Sequence, residues 1–210
     1  MKILKFLCIL FCTGLFLFGK GFAQKKVSEL TVVYDFKESN GSLSGTNTIY
    51  LKGNLVCSET TSSSYSSSTI FDSKPGTAVI LKEVSGQKLM IRLTADDWQD
   101  MNKYYDGIVF TNTPETKTIA GYKCIRAVGK TKNGSDITVY YTTEIVPDNK
   151  NYNPKFKNLE GLPLEYEMSS GNLKIQYTVS KINLNPVPAS KFDIPKSGYR
   201  IMTYAESKRN

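Results

Sequence analysis

The sequence contains no histidine and only four cysteines. Without imidazole, the protein cannot assemble a Ser-His-Asp triad or a Cys-His nucleophile. Cys8 and Cys12 lie inside an N-terminal apolar run, which leaves Cys57 and Cys124 for a processed chain. Two cysteines cannot supply the four ligands of a structural zinc site or the His-rich set of a catalytic one. We therefore expect no metal and no cofactor.

Recognisable catalytic motifs are also missing. Neither a Walker pattern nor a G-x-G-x-x-G loop before a helix occurs. The carboxylates that could form an acid–base pair are Asp96, Asp97 and Asp100 on a predicted helix, or Glu165 and Glu167 on a predicted strand. The helical pair at 96–97 stands where a helix N-terminus favours anions, and the strand pair falls on a polar face. We predict that the protein is not an enzyme.

The positive charge of the chain is modest and scattered. Removal of the first 23 residues would take away Lys2, Lys5 and Lys20 and no acid, lowering the formal net charge from +8 to +5. Neither a basic helix nor a basic run interleaved with aromatic residues is present. The pattern favours a solvated surface over a nucleic-acid site, and it leaves open a loose attraction to an anionic envelope surface.

The N-terminus has the order of a secretory signal: Lys2 and Lys5, then an apolar run over residues 6–18, then Gly21 and Ala23. The run is shorter than the roughly 20 residues that span a membrane, although an uncleaved anchor is the alternative. No cysteine follows Ala23 to carry a lipid. We expect a signal peptide at 1–23, a single β-rich domain at 24–210, and a periplasmic or otherwise exported protein that is soluble and peripheral to the membrane at most.

Alternation of apolar and polar residues dominates the rest of the chain. Leu30, Val32, Tyr34 and Phe36 show the period of two that is typical of a half-buried strand. The same period recurs at 47–51, 137–142, 162–168 and 173–179, with turn residues between the segments. The sequence predicts a mainly β fold: a single curved antiparallel sheet or partial barrel of about ten strands. An outer-membrane barrel is the alternative, but its strands need about 9 to 11 residues.

One helix interrupts this pattern. Thr94 and Asp97 form an N-cap signature close to a capping box, and Gly107 is a stop signal. Trp98, Met101 and Tyr105 follow at spacings of three and four and so share one face. We expect a helix over residues 94–106, packed on the concave face of the sheet.

Two polar stretches complete the chain. Residues 60–68 are rich in serine and predict a hairpin tip or a loop. Residues 147–158 carry prolines and polar side chains, and we expect them to bridge one edge of the sheet.

The C-terminal half resembles a group of exported proteins. The sequence Thr-Ile-Ala-Gly-Tyr-Lys-Cys at 118–124, Val-Tyr-Tyr-Thr at 139–142 and Leu-Glu-Gly-Leu-Pro-Leu-Glu-Tyr at 159–166 resemble, in order and spacing, uncharacterised exported proteins of the GLPGLI type. Leu164 replaces the second glycine of the namesake motif, which indicates a cousin family. More remotely, such proteins resemble the lipoprotein carriers LolA and LolB, whose open half-barrel is plugged by helices and holds acyl chains.

The resemblance implies an envelope binding protein that holds an apolar or lipidic ligand in a half-barrel. The alternative is an interaction or structural module with a solid core and an envelope protein as its partner. Small barrels are commonly filled by their own side chains, so apolar composition does not separate the two. Periodicity predicts an interior lined by Tyr34, Phe36, Ile91, Trp98, Met101, Tyr105, Val139, Tyr141, Leu164, Tyr166, Ile175 and Tyr177.

The two remaining cysteines have two interpretations. In an oxidising compartment, a pair of cysteines commonly forms a bond, which predicts a disulfide between Cys57 and Cys124. Two buried, unpaired thiols are the alternative.

Processing of the N-terminus can be tested directly. The exported chain should begin at Gln24, because Gly21 and Ala23 provide the small residues that a signal peptidase requires. N-terminal sequencing of protein recovered from the envelope checks this. An intact Met1, or a start well beyond Lys26, would contradict it.

Overall fold

The structure is a computed structural model that describes residues 24–39, 41–84, 86–170 and 173–209. The predicted signal peptide lies outside these residues. Within them, no helix is both long enough and apolar enough to cross a membrane.

The described residues form fourteen strands, two α-helices and four short 3-10 helices. The strands are β1 (Lys25–Val27), β2 (Glu29–Glu38), β3 (Ser44–Lys52), β4 (Leu55–Ser62), β5 (Tyr65–Asp72), β6 (Thr77–Val84), β7 (Gln87–Leu93), β8 (Phe110–Ile119), β9 (Tyr122–Lys130), β10 (Asp136–Thr142), β11 (Ile145–Pro147), β12 (Leu162–Ser170), β13 (Leu173–Asn183) and β14 (Arg200–Thr203). The α-helices are α1 (Ala95–Asn102) and α2 (Tyr204–Ser207), and the 3-10 helices are Lys103–Tyr105, Lys150–Tyr152, Pro154–Phe156 and Ala189–Phe192.

Twelve of the strands form one sheet in the order β14-β7-β6-β5-β4-β3-β2-β13-β12-β10-β9-β8. Every neighbouring pair is antiparallel except β14 with β7. The two end strands do not pair with each other, so the sheet is open; β1 and β11 form a separate parallel pair. The predicted mainly β fold with a single curved antiparallel sheet is therefore confirmed, with twelve strands instead of about ten.

The sheet curves strongly. Phe71 on β5 and Tyr166 on β12 line the same cavity, although four strands lie between their own. In a flat sheet these strands would be about 24 Å apart, at about 4.8 Å per strand. The curvature gives the sheet a concave face, where the larger hydrophobic cluster lies.

The convex face is also covered over β4 to β7. A second cluster contains Cys57, Ile70 and Met90 from these strands together with Val187 and Phe192 from the segment after β13. Glu29 fixes this segment by accepting a hydrogen bond from the backbone N–H of Val187 at 2.6 Å. Because both faces of these strands are buried, consecutive residues such as Ala78 to Leu81 are buried without alternation.

The predicted helix is present, and its cap is confirmed. The Thr94 hydroxyl accepts from the backbone N–H of Asp97 at 3.2 Å, and the Asp97 carboxylate accepts from the backbone N–H of Thr94 at 3.0 Å. The α-helix ends at Asn102, whose side-chain amide donates to the Trp98 carbonyl at 2.9 Å. A 3-10 turn continues to Tyr105, so the α-helical part is shorter than predicted.

The serine-rich stretch contains the expected hairpin tip, although most of it is strand, and the stretch at 147–158 differs from the expectation. Only Ser63 and Ser64 lie outside strands in the serine-rich region, because its other residues continue the β4–β5 hairpin. Residues 150–156 lie over the concave face instead of merely bridging an edge, with Tyr152 and Phe156 buried in the main cluster. This otherwise polar segment packs on the sheet because it carries two aromatic side chains, four residues apart, that become buried.

The predicted disulfide is wrong. Cys57 and Cys124 are both free and fully buried. Cys57 is on β4 and Cys124 on β9, with five strands between them. Cys57 belongs to the cluster on the convex face and Cys124 to the concave one, so the sheet itself separates the two thiols.

We expect these thiols to be present but unreactive in the native protein. Burial raises the pKa of Cys57 above its usual value and that of Cys124 to about 11, which removes the reactive thiolate. A chain that starts at Gln24 should show no fast reaction with Ellman's reagent when native and two thiols in denaturant without reductant. The same denatured protein after reduction is the control; two thiols that appear only after reduction would restore the disulfide.

Candidate functional site

The main cavity lies between α1, the concave face of the sheet and the 3-10 segment at 150–156. Its volume is about 270 Å³. Residues from β3, β4, β5, β12 and β13 form its floor, and helix α1 and the 3-10 segment form its other walls. The helix is therefore placed as the sequence predicted, and the space beneath it is not completely filled.

Aromatic side chains stand at two sides of the main cavity, on β5 and α1 at one side and on β12 and β13 at the other. The Trp98 ring stacks on Phe71 with centroids 4.6 Å apart, which attaches α1 to β5. Tyr166 stacks on Tyr177 at 4.7 Å and contacts Phe156 edge-on at 4.8 Å. Aromatic pairs at such distances gain energy beyond the burial of their area, so these contacts stabilise the positions of the rings.

Between these two groups of rings, the floor of the main cavity carries polar side chains. Asn47 on β3 is 7% exposed, and its side-chain amide donates to the hydroxyls of Ser58 and Thr60, each at 2.9 Å. These side chains and Thr69 line the same cavity as the aromatic residues. The main cavity is therefore amphiphilic, and it differs in this respect from a cavity lined by apolar side chains alone.

Two further polar groups come from the 3-10 segment. Tyr152 is 5% exposed, and its hydroxyl is buried without a hydrogen-bond partner among the described residues. Burial raises the pKa of Tyr152 above its usual value. Lys155 lies one 3-10 turn later, and its ammonium nitrogen is 5.4 Å from the centre of the Tyr105 ring. Although part of this side chain reaches solvent, the surrounding protein atoms lower the pKa of Lys155.

Two recesses adjoin the main cavity. One, of about 410 Å³, lies beside α1 and shares Phe71, Trp98, Asn102 and Pro154 with the main cavity. The other, of about 230 Å³, includes Tyr105, Ile175 and Met168. Helix α1 and the 3-10 turn after it are therefore the walls between neighbouring spaces, and Trp98 contributes to two of them.

The C-terminal residues attach α1 to the body of the protein. The Asp100 carboxylate accepts from Lys208 at 2.6 Å and from Lys103 at 2.9 Å. The hydrogen bond from Lys208, and then that from Lys103, lowers the pKa of Asp100 from 3.8 to about 2. Both lysines are half-exposed, so this contact acts as a surface latch and not as a buried ion pair.

The structure distributes the twelve predicted lining residues over several places. Trp98, Met101, Tyr166 and Tyr177 line the main cavity. Tyr105 and Ile175 line the smaller recess. The remaining six are buried side chains around these spaces: Tyr34, Phe36, Ile91, Val139, Tyr141 and Leu164.

Sequence reasoning missed the residues that give the main cavity its chemistry. Phe71 lies on β5, where the alternation that marks an inward side chain is lost because Ile70 is buried on the other face. Tyr152 and Phe156 were visible as an i, i+4 aromatic pair in a polar segment. Alternation with Ile49 and Leu51 places Asn47 on the inner face of its strand, whereas no local signal marks Lys155, which reaches the cavity only through the tertiary fold.

Comparisons with known proteins show the fold alone. No protein-family model matches the chain, and neither does any curated protein. The chain is similar to the crystal structure of an uncharacterized conserved protein from Thermus thermophilus, with TM-score 0.55, 8% identity, and coverage of 84% of this chain and 90% of that one. It is also similar to PNGF-II, with TM-score 0.52, 11% identity and 87% of this chain covered, but it spans only 33% of that protein's length.

MucB is a weaker match, with TM-score 0.40, 12% identity, and coverage of 80% of this chain and 58% of that one. A similarity at this level supports no conclusion. The class defined by these results is a β-rich fold built on an open curved sheet. The resemblance to GLPGLI-type proteins and to LolA and LolB stays a prediction.

The Asp100 latch generates a prediction about pH. The pKa of Asp100 is about 2 in the folded protein and 3.8 as the ordinary value of the unfolded chain. The ionised carboxylate therefore stabilises the fold at pH values above 3.8, and this stabilisation is lost as the pH falls toward about 2. Asp100→Asn should therefore lower the melting temperature at neutral pH, and the difference from wild type should shrink as pH approaches 2. Asp136→Asn is the control, since its ion pair with Lys130 is mostly exposed. Equal effects of the two substitutions would show that the latch contributes nothing.

Proposed function

We propose that this protein is an exported, non-enzymatic binding module that holds one small amphiphilic molecule between α1 and the concave sheet. The observation that carries the proposal is the main cavity, which combines aromatic rings from β5, α1, β12 and β13 with polar side chains from β3 and β4. The side chains of the protein leave this space partly open to solvent, so a small molecule can enter it.

The volume limits the class of ligand. A cavity of roughly 150 Å³ holds a benzene ring, and ligand pockets commonly measure roughly 300–1,000 Å³. At about 270 Å³ the main cavity suits a single short chain or a ring system and not a lipid with two full acyl chains. The adjoining recess, which shares Trp98, is where a longer ligand would extend.

A second candidate function is an interaction module. Strand β14 is an end strand of the sheet, and Ile201 on it is 64% exposed. An end strand with free backbone groups can accept a strand from a partner protein. This use does not require a ligand in the main cavity, so a ligand-binding experiment separates the two candidates.

Trp98 allows a direct test because it is the single tryptophan of the chain. Titration of delipidated protein with 1-octanol and with octanoate should change its fluorescence saturably for at least one of them, since its ring lines the cavity. Trp98→Ala should weaken binding measured by calorimetry, because it removes both the stack on Phe71 and a cavity wall.

Tyr104→Ala is the matched control. This tyrosine follows α1, is 48% exposed and does not line the main cavity. It should leave the affinity unchanged. Flat titrations with both compounds would overturn the ligand-binding proposal and leave the interaction module.

A further inference from the structure

The charge that the described residues bring to the main cavity is positive. Among the described residues that line it, Lys155 is the one charged side chain, and no aspartate or glutamate is present. The other lining residues contribute hydroxyls, amides and aromatic rings. The cavity thus offers a cation and hydrogen-bond donors without a carboxylate to neutralise them.

Lys155 lacks the partner that comparable lysines have. Lys52 contacts Glu29 at 2.9 Å and Lys191 contacts Glu59 at 3.2 Å, both at part-buried positions. Lys155 forms no ion pair among the described residues, and the contact it makes is with the ring of Tyr105. A half-buried ammonium normally acquires a carboxylate or carbonyl partner, because removing it from water is unfavourable.

Tyr152 is an independent sign of an absent partner. Its hydroxyl is the one buried side-chain polar atom that lacks a hydrogen bond within the described parts of the chain. Buried polar groups in folded proteins are almost always paired, so an orphaned group requires an explanation. A bound molecule that accepts a hydrogen bond provides one, since Tyr152 lines the same cavity as Lys155.

The backbone holds these two residues in fixed relation. They lie on consecutive 3-10 turns, at Lys150–Tyr152 and Pro154–Phe156. Asn149 caps the first turn by accepting from the Asn151 N–H at 3.0 Å, and Asn153 caps the second by accepting from the Lys155 N–H at 3.3 Å. Phe156 is 1% exposed in the core and fixes the end of the segment. The two donors are therefore supplied by one anchored segment.

We propose that the ligand of the main cavity carries a carboxylate, which binds the ammonium of Lys155 and accepts a hydrogen bond from Tyr152, with its apolar part against Trp98 and Phe71. The inference rests on the proposed function and adds the chemical class of the ligand: a medium-chain fatty acid or an aromatic acid. A carboxylate has two oxygens and one charge, which one ammonium and one hydroxyl satisfy. A phosphate dianion would leave one negative charge unmatched in a cavity with a single cation.

The lowered pKa of Lys155 agrees with this assignment. Burial disfavours the ammonium form in the ligand-free protein, and a bound anion would favour it again. Lys155 has no anionic partner among the described residues, and a carboxylate ligand would supply one.

The test compares three probes of the same chain length by calorimetry on the chain that starts at Gln24: octanoate, 1-octanol and octylammonium. Octanoate should bind about tenfold more tightly than 1-octanol, the effect of one charge-assisted hydrogen bond, and octylammonium should bind least tightly. Lys155→Met keeps the apolar stem and should remove the preference for octanoate while leaving 1-octanol affinity unchanged or higher. Lys155→Arg should retain most of it.

Tyr152→Phe supplies a readout that a structural role would not produce. It should weaken octanoate binding several-fold, and the ligand-free variant should melt at the same temperature as wild type or higher, because an unpaired buried hydroxyl is removed. Lys130→Met is the control for loss of one positive charge, since Lys130 is an exposed residue paired with Asp136. It should leave the affinity for octanoate unchanged.

The outcomes are distinguishable. If no probe binds, the proposed function fails together with the inference. If 1-octanol and octanoate bind equally to wild type, the protein binds ligands but the carboxylate assignment is wrong and Lys155 is solvated. If octanoate is preferred and Lys155→Met keeps the preference, another group holds the anion. The comparison of probes on wild type stands even if a variant fails to fold.

Discussion

The constraint on which this structure depends is the width of its concave face. Twelve hydrogen-bonded strands that curve without closing leave an apolar surface too broad for the side chains of the sheet to cover. Helix α1 and the 3-10 segment at 150–156 are placed over it, and the contacts that hold them are aromatic: Trp98 on Phe71, and Phe156 on Tyr166. The main cavity is what remains beneath these two elements. Its position follows from the fold, and its polarity follows from which residues the two elements present.

The C-terminal segment has a double role. Between β13 and β14 it covers the convex face of β4 to β7, where Lys191 contacts both Glu59 and the ring of Tyr50. After β14 it reaches the other side, and Lys208 contacts Asp100 on α1. The same stretch of chain thus buries the back of the sheet and holds the helix that covers the front. The cover of the cavity is therefore attached through half-exposed ion pairs and the Trp98 stack, which are weaker than the core beneath.

The structural similarities have a limited meaning. Two solved proteins share this fold at identities of 8% and 11%, and one of them is about three times longer than the aligned region. A fold is compatible with many functions, because function depends on particular side chains in a site. In this chain the proposed ligand class rests on Tyr152 and Lys155, which come from a connecting segment and not from the strands of the sheet. A ligand is consequently inferred from local chemistry and not from the shared fold.

The sequence by itself determined most of the strands, the helix and its cap, because period-two alternation and the Thr94–Asp97 pair act over neighbouring residues. It also indicated that Trp98, Met101, Tyr166 and Tyr177 face one another. Gly161 in the Gly-Leu-Pro motif has a reason that the sequence did not show: a side chain there would overlap the carbonyl oxygen of Thr142. The tertiary structure alone decided that Cys57 and Cys124 lie on opposite faces, that both faces of β4 to β7 are buried, and that Lys155 reaches the cavity. These features depend on how far the sheet curves and on where the connecting segments return, and such distances between remote residues leave no local pattern in the chain.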